Sequence, residues 1–121
     1  MRRILAVDDD NDILEILQFI LEDSGYKVDT LSDGRRLMET ITEKNPDLIL
    51  LDIMLGSVDG RELCRELKKQ NNTHDIPVIM ISASHNVSNN LNKDDGPNDF
   101  IAKPFDINVL LNSIKRQLAA A

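Results

Sequence analysis

Asp8 and Asp9 directly follow the apolar run Ile4–Val7, Asp52 follows Leu48–Leu51, Ser82 follows Val78–Ile81, and Lys103 follows Phe100–Ala102. Three of these side chains are acidic. If the fold brings the carboxylates into one pocket, each pair repels by about 4 kcal/mol at 4 Å with an effective dielectric near 20, so a cation has to join them. Oxygen-only donors on a small rigid frame suit Mg2+, with Mn2+ as a substitute, because such hard ions keep several waters and take phosphate oxygens in their open positions. A carboxylate held there can attack phosphorus and become an aspartyl phosphate, while the ion and the Lys103 ammonium shield the charge.

The elements that must position these groups show as alternating patterns. Runs rich in Ile, Leu and Val at Ile4–Val7, Val28–Leu31, Leu48–Leu51, Val78–Ile81 and Phe100–Ala102 read as five strands, each bounded by Asp, Gly, Pro or Ser. Between them lie helically spaced apolar sets: Ile13, Leu14, Leu17, Ile20 and Leu21; Leu37, Met38 and Ile41; Leu63, Cys64 and Leu67; Val109, Leu110, Ile114 and Leu118. Gly25 reads as the stop of the first helix, Ser32 as the cap of the second, Pro46 as the close of that region, and Asp59 with Glu62 as a capping box opening the third. Any of Asp10, Asn11 and Asp12 can cap the first. The segment Asn86–Asp95, rich in Asn with only Val87 and Leu91 as apolar anchors, predicts a short fourth helix or none. Strand alternating with helix argues a parallel sheet covered on both faces, and such sheets bind ligands beyond the carboxyl ends of their strands. The candidate residues all stand at that end.

Four fragments in this order resemble the receiver domains of two-component response regulators. They are Ile4 to Asp10 (ILAVDDD), Pro46 to Leu55 (PDLILLDIML) with Asp59-Gly60, Pro77 to Ala83 (PVIMISA), and Asp99 to Phe105 (DFIAKPF). The resemblance spans nearly the whole chain and implies one CheY-like, flavodoxin-like domain over residues 1–121, an α/β doubly wound sheet of five parallel strands in the order 2-1-3-4-5. It implies Asp52 as phosphoacceptor, Asp8 and Asp9 with Asp52 and the Met54 backbone carbonyl as Mg2+ ligands, and Lys103 and Ser82 as partners of the phosphoryl group. Phe100 falls at the aromatic switch position, and the bond before Pro104 falls where the family places a cis peptide. The implied donor is a sensor histidine kinase or a histidine phosphotransfer protein, and the implied readout is an output protein or domain, with a homodimer formed on phosphorylation as one form. The resemblance makes the chain a signalling domain rather than an enzyme.

The chain departs from the family pattern at Gly56-Ser57, which replaces a frequent Pro-Gly and predicts a more flexible loop. Phe100 has no ring hydroxyl, which excludes an active state held by a hydrogen bond from that group. Relatives tune phosphoryl lifetime at the positions of Met54 and Ser84; apolar Met54 orients no attacking water, which predicts a moderately long-lived phosphoryl group.

Plainer roles compete residue by residue. Asp8, Asp9 and Asp52 each suit a turn, Lys103 a solvated charge, Ser82 a turn hydroxyl, and Phe100 a core position. Met38, Met54 and Met80 suit packing gaps, Cys64 an inert structural thiol, and His74 and His85 solvated connections. A haloacid dehalogenase-type phosphatase would use Asp8 and Asp10, but Asp12 stands at the next telling position and no segment remains for a substrate cap. An EF-hand over Asp8, Asp10 and Asp12 fails because Ile13 replaces the required glycine and Phe19 the glutamate. The alternative within the family is a degenerate receiver that binds a partner without being phosphorylated.

Composition narrows the partners. A net charge of -7 disfavours direct nucleic-acid contact, and a single cysteine with two histidines supplies neither a disulfide nor a zinc site. No leader or membrane span is legible, so a cytoplasmic location is expected.

Overall fold

The computed structural model describes residues 2–83 and 96–120. Five strands, β1 (Arg3–Val7), β2 (Lys27–Leu31), β3 (Leu48–Asp52), β6 (Val78–Ser82) and β7 (Asp99–Ala102), pair in parallel in the order β2-β1-β3-β6-β7. Two short strands, β4 (Met54–Leu55) and β5 (Val58–Asp59), form a separate antiparallel hairpin. The helices are α1 (Asn11–Asp23), α2 (Leu37–Lys44), α3 (Gly60–Lys69) and α4 (Ile107–Ala120), with a 3-10 turn over Gly34–Arg36 leading into α2. Skipping the hairpin, this is the doubly wound order implied by the sequence.

Alternation along each strand divides the core between the two faces. Ile4, Ala6, Leu48, Leu50, Ile79, Ile81 and Ile101 meet Leu14, Leu17 and Leu21 of α1 and Leu110, Ile114 and Leu118 of α4. Leu5, Val7, Ile49, Leu51, Val78 and Met80 face Leu37 and Ile41 of α2 and Cys64 and Leu67 of α3. The central strands are therefore apolar except for one terminal residue each, since neither face is wet. Each fully buried Leu or Ile stabilises the fold by about 2 kcal/mol. β2 lies at an edge, which is why Lys27, Asp29 and Thr30 are tolerated in it.

Each strand is one residue longer than its apolar run, because the ladder includes the flanking polar residues Arg3, Lys27, Asp52, Ser82 and Asp99. Gly25 ends α1 as expected, at φ 97°, with its N–H donating to Glu22 O (3.0 Å) and that of Tyr26 to Leu21 O (3.1 Å). That paired pattern needs a left-handed residue. Asp10 is the cap of α1, its carboxylate accepting from Asp12 N. Asp59 caps α3 by accepting from Arg61 N at 2.9 Å.

Two expectations are corrected. Ser32 does not cap the second helical stretch. Asp33 does, through Arg35 N at 3.0 Å, because the 3-10 turn starts the stretch one residue later. Gly56-Ser57 is the tip of a two-residue hairpin loop: Gly56 has φ 65° and Ser57 a negative φ, the pattern of a II′ turn. Met54 fills no packing gap, because alternation in β4 turns Leu55 inward and leaves Met54 67% exposed. Met80 is buried as expected and Met38 packs against the second core cluster. Cys64 is buried in the core and His74 is exposed, its ring against Asn71 O and Asp75. The expectations for Ser84, His85 and the segment Asn86–Asp95 fall outside the described residues.

Candidate functional site

The parallel register brings the candidate residues together. Val7 stands beside Leu51 and Asp52 beside Ile81, so the chain leaves β1, β3 and β6 at one level, and Ser82 pairs with Ala102 next to Lys103. Asp8, Asp9 and Asp52 each place a carboxylate oxygen within 4.8 Å of the others. Asp8 and Asp52 are 3% and 5% exposed, whereas Asp9 is open to solvent. The mix of buried and open acids gives a site with a solvated side.

Lys103 closes the pocket. Its Nζ donates to Asp8 Oδ2 at 2.9 Å and to Asp52 Oδ2 at 3.2 Å, and its backbone N–H donates to Ser82 O at 2.9 Å, which ties the turn after β7 to the end of β6. The following peptide bond, Lys103-Pro104, is cis, as the resemblance implied. Asp8 Oδ1 also accepts from Asp10 N at 3.0 Å, and Asp52 Oδ1 receives the long contact of Met54 N at 3.4 Å.

The electrostatics follow from this crowding. Burial, and then the neighbouring Asp8 charge, push the Asp52 carboxyl above the ordinary carboxylate range, against the pull of Lys103. Burial alone would lower the Lys103 ammonium, but the hydrogen bond to Asp8 and the charges of Asp52 and Asp8 outweigh it and raise the group. One ammonium stands against three carboxylates, which leaves the pocket short of positive charge. Hard oxygen donors, one open to solvent, fit a divalent ion that keeps part of its water shell.

Ser82 is buried at the end of β6, and Phe100 is half-buried against the α2–α3 side of the core. The sequence had given no role to Asp99, which precedes Phe100. Its Oδ1 accepts from Phe100 N at 2.8 Å, and its Oδ2 accepts from Ser113 Oγ and, at 3.1 Å, from Arg116 Nη2, so α4 grips the strand that carries Phe100. The β4–β5 hairpin was also missed. Its signal was present in Gly-Ser between Leu55 and Val58, a two-residue loop with glycine first.

A groove of about 550 Å3 adjoins the site, lined by Ile13, Ile16 and Ile20 of α1 with Lys103, Phe105 and Ile107. Ile16 is 53% exposed and Phe19, on the same helix, 74%. Among the described residues no helix is long and apolar enough to cross a membrane.

Comparison with known proteins agrees with this architecture. Residues 4–115 match the response regulator receiver domain family. The receiver domain of a signal transduction histidine kinase from Syntrophus aciditrophicus is 35% identical, with TM-score 0.90 over 100% of this chain and 92% of that one. The receiver domain of NtrX from Brucella abortus is 36% identical, with TM-score 0.85 over 98% and 99% of the two chains. A CheY-like response regulator receiver domain protein from Methanospirillum hungatei is 30% identical, with TM-score 0.88 over 99% and 95%. With its five-stranded sheet and its acidic pocket at the strand ends, the chain belongs to the response regulator receiver domain family of two-component signalling.

Proposed function

We propose that the chain is a phosphorylation switch in which Asp52 accepts a phosphoryl group from a phosphohistidine on a partner kinase or phosphotransfer protein, in a reaction that requires Mg2+ or Mn2+. The observation that carries this is the bridging of buried Asp8 and Asp52 by Lys103 beside solvated Asp9. Asp8, Asp9, Asp52 and the Met54 carbonyl would hold the ion, which when bound supplies positive charge to the acidic pocket and to phosphoryl oxygens.

The Asp52 carboxylate attacks phosphorus in line. The P–N bond breaks, and its electron pair stays on the imidazole nitrogen of the donor. Lys103, already at hydrogen-bond distance from Asp52, pairs with a phosphoryl oxygen. The added charge and acceptor oxygens draw the Ser82 hydroxyl toward the site, and Phe100 turns into the space released, changing the partner surface. Met54 offers no hydrogen-bonding side chain for an attacking water, which supports a moderately long-lived phosphoryl group. The complete set of Asp8, Asp9, Asp52, Ser82 and Lys103 disfavours the unphosphorylated module. The intracellular signalling role fits a cytoplasmic chain that acts as a substrate of its kinase and not as an enzyme on other substrates.

The test is intact-mass analysis after incubation with a small acyl phosphate, with and without Mg2+. A single phosphoryl adduct that needs the ion and maps to the peptide holding Asp52 is expected. No adduct, in a chain that still binds Mg2+, would favour the unphosphorylated module.

The donor protein is assigned to the apolar groove beside Lys103, since large apolar side chains left in water mark an interaction surface. Ile16→Asp, at an exposed side chain that lines the groove, is expected to slow transfer from a histidine-phosphorylated donor by about tenfold or more, the worth of one buried anchor. Its labelling by acyl phosphate should stay native; equal losses with both donors would remove the groove from the account.

A further inference from the structure

We propose that Gly34, in the 3-10 turn before α2, is a positioning residue that sets the place of the Met54 carbonyl, and with it the Mg2+ affinity of the site, by seating the β4–β5 hairpin. The role rests on the assignment of that carbonyl to the ion in the proposed function.

Only Ile53 to Asp59 connect the end of β3 to α3, and the hairpin takes up most of that length. Within it Met54 pairs with Asp59 and Leu55 with Val58, so side chains alternate: Met54 outward, Leu55 inward and buried. In such a pair the peptide orientation at Met54 is fixed once Leu55 has a fixed seat, because neighbouring residues of a strand point to opposite faces.

The seat is the missing side chain of Gly34. A Cβ built there would stand 3.0 Å from Leu55 Cδ1, 3.3 Å from Leu55 Cβ and 3.2 Å from Leu63 Cδ1. The turn is a firm wall, since the Asp33 carboxylate takes the Arg35 N–H at 3.0 Å and grips the Arg35 guanidinium through both oxygens. The hairpin is also tied at its two ends, where Asp59 caps α3 and the Gly60 N–H donates to Ile53 O at 2.7 Å. Tip and turn face each other across a cleft of about 250 Å3 whose lining includes Asp9. A shift of the hairpin therefore changes a wall that an acidic ligand shares. In place of a proline-stiffened loop, this chain holds its ligand carbonyl by packing a leucine onto a glycine.

The experiment is calorimetric titration of the full chain with MgCl2. Gly34→Ala pushes Leu55 outward and is expected to raise the Mg2+ dissociation constant about tenfold, the lower end of what lost supporting contacts cost a metal site. Adding Leu55→Val, which removes the Cδ1 that the new methyl meets, is expected to restore affinity to within about threefold of native. Gly25→Ala is the control. It strains a residue at φ 97° with open space around it, so it lowers stability while the Mg2+ constant stays native. Should Gly34→Ala fail to fold, Leu55→Ala empties the same seat and is expected to weaken Mg2+ by a similar factor. Native affinity in folded Gly34→Ala, with Asp9→Asn abolishing binding, would overturn the role of Gly34 and leave the ion site standing. Binding that ignores Asp9→Asn would remove the ion site itself, and the role of Gly34 with it.

Discussion

Asp52→Asn is expected to abolish the phosphoryl adduct completely and, in the same preparation, to raise the thermal stability of the metal-free chain. The first effect follows from the loss of the nucleophile, since an amide oxygen forms no acyl phosphate under these conditions. The second follows from the electrostatics of the pocket. The folded-state pKa of Asp52 is raised, first by burial and then by Asp8. A carboxyl raised above its unfolded value favours folding while protonated. That contribution is complete below the unfolded pKa and is lost as pH rises through the folded one, so at neutral pH the ionised group is a cost to the fold. Asparagine keeps the shape and can still accept from Lys103, but it carries no charge, and Lys103 is left paired with Asp8 alone.

The gain should be about 1 kcal/mol, the scale on which relief of a strained functional site stabilises a domain, and a few degrees in melting temperature. The difference between variant and native should be small in acid and grow toward neutral pH. MgCl2 should reverse the order, because an ion that binds the native pocket adds RT ln(1 + [L]/Kd) to native stability and less to the variant's. Melting curves from acid to neutral pH, with chelator and then with MgCl2, read both signs. A variant less stable than native in chelator would contradict the account of the pocket.

Much of this was legible in the residues themselves. Apolar runs located every strand of the main sheet, and the type and place of Asp8, Asp9, Asp52, Ser82 and Lys103 located the end of the sheet where chemistry gathers. Spacing alone did not show that one ammonium would bridge residues 95 and 51 positions away, because that depends on strand order and register. Local rules also misled where tertiary structure overrode them. Ser32 is a good cap by type, but it is the Asp33 carboxylate that accepts the Arg35 N–H of the turn. Met54 looked like core by composition, and the two-residue period of a strand too short to show a pattern turned it to solvent. Asp99 gave no signal, since its partners Ser113 and Arg116 lie one strand-to-helix connection away.

Gly60 carries the sharpest conflict between local and tertiary reasoning, and Gly60→Ala should decide it. Gly60 is the first residue of α3, where alanine is the better helix former by about 1 kcal/mol, so propensity alone expects a more stable protein. The packing expects the opposite. An ideal Cβ at this position would lie 2.1 Å from the Asp52 carbonyl oxygen and 3.0 Å from both Asp52 C and Ile53 Cα. All three are backbone atoms, so no rotamer change relieves the overlap. The helix start and the end of β3 have to separate, although the Gly60 N–H is hydrogen-bonded to Ile53 O at 2.7 Å. Overpacking of this kind costs about 3 kcal/mol. The displaced atoms belong to the residue that carries the proposed nucleophile, and a shift on the order of 1 Å in a reacting group can cost about 100-fold in rate. Gly60→Ala is therefore expected to lower unfolding free energy by about 3 kcal/mol in urea titrations and to slow acyl phosphate labelling by about 100-fold. Asp59→Ala, which removes the cap of the same helix but adds no atom near Asp52, should cost only about 1 kcal/mol and slow labelling far less than Gly60→Ala does. If Gly60→Ala were as stable as the native chain and labelled normally, the close approach of α3 to the phosphoacceptor strand would have no part in positioning Asp52.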